Sequence, residues 1–177
     1  MVMRKYISLA ACIGLLVVIG CSQNAPTAST SPTPVTSIDG SKFLLNRQPD
    51  GAEDVLTVRE AAKDGDDVLI VGRIGGGENP WIDGRAAFSI VDGSLKACSD
   101  IPGDKCEKPW DYCCETHKLA TSTALVKVVD EHGDLVNADA RELLNVKELA
   151  TVIVQGKAQR DEAGNLTVLA NGVYVKK

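Results

Sequence analysis

The sequence predicts a mainly β domain: a small five-stranded Greek-key barrel with one or two short helices and a cysteine-rich insertion between its second and third strands. Five short segments rich in β-branched residues carry this expectation, at residues 67–74, 85–93, 123–136, 150–159 and 166–175, each ending at turn residues. A weakly helical stretch, "NADARELLNVKEL", lies between the third and fourth of them, the order that a small Greek-key barrel takes. Strands this apolar need their edges hidden, and closing the sheet does so.

Each element has a local reason. Thr57 with Glu60 three residues later has capping-box spacing, and Arg59 to Lys63 are good helix formers, so a short helix is expected before Gly65. "DVLIVGRI" is the clearest strand, and "GGGENPWIDG" after it reads as a loop. "RAAFSIVDG" alternates and stops at Asp-Gly. Pro102, Gly103 and Pro109 block regular structure through residues 93–121. "TALVKVVDEHGDLV" reads as a strand, a turn containing an exposed His132 and a short return. "ATVIVQGKAQ" is a strong strand with Gly156 inside it, where a barrel needs a tight bend. "RDEAGN" is a turn, and "LTVLANGVYV" closes the chain as a strand broken at Asn171-Gly172.

The stretches "VLIVGRI" with its mid-strand glycine, "AAFSIVD" and "TVIVQGKAQRDEAGNLTVLANGVYV" are similar to the OB-fold domains of bacterial envelope proteins. The resemblance covers residues 54–177 apart from 93–121. It implies a ligand face on the second and third strands, between the loops at 75–84 and 160–165. The chain also resembles bacterial envelope lipoproteins that share a "PWDYCC" segment, a group that implies no activity.

The N-terminus supplies an address. Arg4 and Lys5 precede an apolar run, "ISLAACIGLLVVI", too short to span a bilayer comfortably, as a spanning helix needs about 20 residues. The run ends in "VVIGC", which resembles the bacterial lipobox; the resemblance implies a signal peptide at 1–20 and a lipid on Cys21. With serine rather than aspartate at position 22, it further implies the outer membrane, with the domain facing the periplasm. Residues 21–40 hold the lipidated cysteine and a Ser/Thr/Pro-rich tether with little apolar bulk to bury, leaving 41–177 as one domain. The membrane, reached through Cys21, is then one partner; an envelope protein or a small ligand is another.

The signal takes away two basic residues and no acidic one, so the net charge falls from −5 to −7 on its removal. Such a domain is a poor match for nucleic acid, whose phosphates favour basic grooves lined with aromatics. Oligonucleotide or oligosaccharide binding therefore stands only as an OB-type alternative. No enzyme is indicated: "GGG" is followed by no lysine-serine/threonine pair, no G-x-S-x-G elbow occurs, and Asp64, Asp66 and Asp67 lack the loop of a calcium hand. No cofactor is implied.

The chemistry concentrates in the insertion. Cys12 leaves with the signal and Cys21 carries lipid, so four cysteines remain, Cys98, Cys106, Cys113 and Cys114. In an oxidising compartment the first reading is two structural disulfides. A bridge between the neighbours Cys113 and Cys114 is disfavoured by its strained ring, which leaves two pairings open. Each bridge would contribute about 2–3 kcal/mol in the loop-entropy model. The alternative is a thiolate metal site using Cys98, Cys106, Cys113, Cys114 and His117. Against it stand the absence of the C-x2-to-4-C pairs of structural zinc sites, and neighbours expected to point apart on an extended chain. Trp81, Trp110 and Tyr112 are the candidates for a ligand or partner surface; the competing reading makes Trp81 a loop anchor and uses Trp110 and Tyr112 to dock the insertion.

Overall fold

The computed structural model describes residues 38–177, and in it the five anticipated segments form one closed sheet. They are β2 (Asp67–Ile74), β3 (Ala87–Val91), β4 (Thr123–Val128), β5 (Thr151–Arg160) and β6 (Leu166–Val175). A two-residue β1 (Glu53–Asp54) adds in parallel to β2. The strand order is β2-β3-β4-β6-β5, and β5 returns to pair with β2 from Thr151 to Lys157, which closes the barrel. The β4–β6 pair is parallel and the other barrel pairs are antiparallel, the mixed order of an OB-like barrel. The proposed signal peptide, Cys21 and the tether up to residue 37 lie outside the described residues. No helix among the described residues is long and apolar enough to cross a membrane.

Alternation along the strands fills the barrel. Ile70 and Ile74 of β2, Phe88 and Ile90 of β3, Val126 and Val128 of β4, and Val152 and Val154 of β5 all lie in one buried cluster. The helix α3 (Ala140–Leu144), between β4 and β5, adds Ala140, Leu143 and Leu144 to it. Asp139 caps α3 by accepting from the Arg141 backbone N–H, and Asn145 ends it in the left-handed region at φ 50°. Trp81 packs on Phe88 with 5.8 Å between ring centroids, and its indole N–H donates to Glu148 Oε1 at 2.6 Å.

Three expectations change. The first helix, α1 (Val55–Ala61), begins four residues before Arg59, and Thr57 does not cap it. In its first turn the Leu56 N–H donates instead to the buried carboxylate of Asp92 at 2.9 Å. At its other end the Arg160 guanidinium donates to the carbonyls of Arg59 and Ala62. Both helix ends thus find partners in residues remote in sequence, which a local capping pattern cannot register. Next, β6 is not broken at Asn171-Gly172. Gln155 faces Gly172 while Gly156 faces Ala170, so Asn171 is an extra residue in a β-bulge. Gly156 is required there, because a β-carbon would overlap the Leu169 carbonyl. Finally, the segment 75–84 is not a free loop. Ser89 N–H donates to the Pro80 carbonyl at 2.7 Å, Ile82 N–H to that of Ala87 at 3.0 Å, and Trp81 bridges to Phe88. The "GGGEN" stretch is therefore a bulge in a strand that resumes at Trp81, and the hairpin turn proper is at 82–85.

His132 lies exposed in its turn, as anticipated, where Asp130 Oδ1 accepts from the His132 and Asp134 N–H groups. Asp64 and Asp66 likewise serve a turn, accepting from the backbones of Arg160 and Lys63.

Candidate metal centre

The insertion leaves β3 and returns to β4 as two arms laid against each other. At its base Asp92 N–H donates to the Ser122 carbonyl at 2.9 Å. Further out, Cys98 N–H donates to Asp111 at 2.8 Å and Ser99 N–H to Pro109 at 3.0 Å. Cys98–Asp100 form a single 3-10 turn, held by the Asp100 carboxylate, which accepts from the Ala97 N–H at 3.1 Å. The chain then reverses through Gly103 at φ 83°, and Asp104 Oδ1 accepts from the Cys106 N–H at 2.6 Å. A second 3-10 turn, Cys113–Glu115, leads into α2 (Thr116–Ser122), so regular structure is not blocked to residue 121 as expected: it resumes beyond Pro109, the last of the blocking residues.

The barrel wall positions this lobe. Arg73 of β2 forks onto Asp100 in an ion pair, which holds the Asp100 carboxyl below the usual carboxylate range. The strand bulge grips the other arm: Glu78 pairs with Lys108 at 2.6 Å, and the Glu78 carbonyl accepts from the Trp110 indole at 3.1 Å. Tyr112 is fully buried in a small second core with Val91, Leu95 and Ala97. Its ring lies against Gly75, where a β-carbon would come within 2.7 Å of it, so the first glycine of "GGG" is the seat for Tyr112. The Tyr112 hydroxyl is buried with no hydrogen-bond partner among the described residues, and burial raises its pKa.

This framework brings three sulfurs together. The Sγ atoms of Cys98, Cys106 and Cys113 all lie within 4.8 Å of one another, with Cys98 and Cys113 at 3.3 Å. Cys114 Sγ stands 4.0 Å from that of Cys113. All four are free thiols, so the structure holds neither of the two expected disulfide pairings. Cys113 and Cys114 do not point apart: the chain there is a 3-10 turn, which separates successive side chains by about a third of a turn rather than the half turn of an extended strand. Burial, with the contact to Cys113, pushes the Cys98 thiol up to about 12. At Cys113 the contact to Cys98 favours the thiolate, but Cys114 and desolvation outweigh it and the pKa is raised. Without a cation Cys98 and Cys113 are therefore neutral thiols.

The other candidates fall elsewhere. His117 is exposed on α2 and is not part of the triad. Trp81 and Tyr112 offer no ligand surface, being 5% and 0% exposed; each docks one segment on another, because a large apolar ring gains most where it is covered. Trp110 is half-buried and spent on Glu78. Sequence reading missed Arg73, Glu78 and Asp100 as supports of the lobe. Nothing local marks a strand arginine, a loop glutamate and an insertion aspartate as partners. No protein-family model and no curated protein sequence matches the chain.

Proposed function

We propose that the protein is a lipid-anchored envelope module whose insertion holds one soft metal ion through Cys98, Cys106 and Cys113. One observation carries the metal reading: three sulfurs from three separate segments converge without an S–S bond. In a thiolate site with metal–sulfur bonds of about 2.3 Å, tetrahedral geometry places the sulfurs about 3.8 Å apart. The 3.3 Å of the nearest pair and the 4.8 Å limit on the others bracket that spacing. Thiolate-only donors favour zinc or copper(I) over hard cations. The barrel acts as the rigid mount, with Arg73 and Glu78 fixing the two arms that carry the ligands. The address rests on the lipobox-like "VVIGC" and the tether behind Cys21, which support an outer-membrane lipoprotein facing the periplasm and the kinship with "PWDYCC" envelope lipoproteins.

Intact mass, free-thiol count and metal analysis of the mature protein test the metal reading together. One equivalent of metal, released with the appearance of free thiols, is the expected result. A metal-free protein lighter by about four hydrogens would instead establish the two-disulfide form. Cys21→Ser tests the anchor and should leave the precursor unlipidated.

A further inference from the structure

The sulfurs form a series from inside to outside. Cys98 is 1% exposed, Cys106 is intermediate, and Cys113 and Cys114 are on the surface. Cys114 lies beyond the triad yet only 4.0 Å from Cys113, on the same 3-10 turn, so its sulfur can meet an ion held by Cys113 without rearranging the barrel mount. Resting on the metal reading above, we propose that Cys114 is the exchange ligand of the site: the thiolate through which a soft cation is taken up from, and handed to, external thiols.

The chemistry balances without any change of oxidation state. The Cys114 thiol gives its proton to solvent and its sulfur bonds to the ion. The bond from the ion to Cys113 then breaks, and the Cys113 sulfur takes up a proton. An incoming thiolate displaces Cys114 in the same manner, and further external thiolates then displace Cys106 and last Cys98, each protein sulfur taking up a proton as its bond to the ion breaks. Soft, labile metal–thiolate bonds suit this associative route. Because Cys114 opens a path in both directions, it changes rates without changing the equilibrium constant. A fourth permanent ligand would act on the equilibrium instead.

Cadmium is a suitable probe, since its thiolate bonds absorb in the ultraviolet. The full mature chain and its Cys114→Ser variant are loaded with Cd2+, and release to a small dithiol competitor is followed by stopped flow. The variant should bind one equivalent with an unchanged charge-transfer band and a Kd within about threefold of the parent, while loading and release both slow about tenfold, a barrier change of about 1.4 kcal/mol. Unchanged rates would overturn the proposal and leave Cys114 a bystander. A Kd weakened about a hundredfold, with a smaller band, would also overturn it by making Cys114 a permanent ligand. Failure of the parent chain to bind Cd2+ at all would sink the metal reading itself, an outcome distinct from both.

Discussion

Phe88 and Tyr112 are both aromatic side chains with no exposure, yet they stand in different kinds of structure. Phe88 sits in the main core, on a strand paired to β4 along its whole length and enclosed by a sheet that closes on itself. Among the described residues, the buried cluster around Tyr112 is just Val91, Leu95 and Ala97, with Leu119 and Leu149 at the edge. The insertion is otherwise attached mostly through side chains, and the Lys108–Glu78 pair is largely in water, where such pairs contribute little. A region built this way has low local stability unless something binds it. The barrel is closed by its own strand pairing, whereas the ion proposed above would add to the few contacts that hold the insertion's sulfurs together.

The largest effects should separate the two regions. Phe88→Ala should cost about 3–5 kcal/mol in urea unfolding and weaken the whole domain in one transition. Tyr112→Ala removes a ring of similar size, but its effect should stay local. Amide exchange in residues 93–121 should accelerate and one equivalent of metal should be lost, with β2, β5 and β6 still protected; global unfolding with the insertion would show the two regions to be one cooperative unit.

Cys98→Ser takes away the buried member of the triad and should abolish stoichiometric metal binding. It should leave barrel protection nearly unchanged and raise exchange in the insertion to the level of the metal-free parent. A variant that still binds one tight equivalent would place the ion elsewhere.

Asp92 joins the two regions, since it accepts from Leu56 at the start of α1 and from Ser94 at the start of the insertion. Burial alone would raise its pKa, but those hydrogen bonds outweigh burial and hold it below the ordinary 3.8. A depressed carboxyl contributes stability that is complete above its ordinary value and fades as pH falls through its folded value. Asp92→Asn should therefore cost about 1 kcal/mol at neutral pH, measured by thermal unfolding, and the gap from the parent should close in strong acid. An equal gap at every pH would mean that charge has no part in it.

The smallest change is Tyr112→Phe. The hydroxyl is buried with no partner among the described residues, so deleting it should be neutral or stabilising by up to about 1 kcal/mol, read as Tm at fixed metal occupancy. A clear loss would reveal a hydrogen bond to the hydroxyl.

Much of the barrel was legible in the chain. The bounds of β2 were read to the residue, because "DVLIVGRI" is a β-branched run between turn residues, and the need to hide apolar edges pointed to closure. The bulge at Asn171 was read as a break, since a glycine after asparagine looks the same in either case. The role of Gly75 was invisible because its reason, Tyr112, lies 37 residues away.

The sequence by itself determined the five strands and their succession along the chain, the short helix between β4 and β5, the extra cysteine lobe and the four thiols within it. These follow from periodicity and turn chemistry, which act over a few residues. Tertiary structure decided what the thiols can do. Cys98 and Cys113 meet because the two arms are laid together by Cys98 on Asp111 and pinned by Arg73 and Glu78. Cys113 and Cys114 share a side because the chain turns there. Whether four cysteines pair with one another or gather around an ion depends on distances between sulfurs, and those are set by contacts that spacing along the chain does not record.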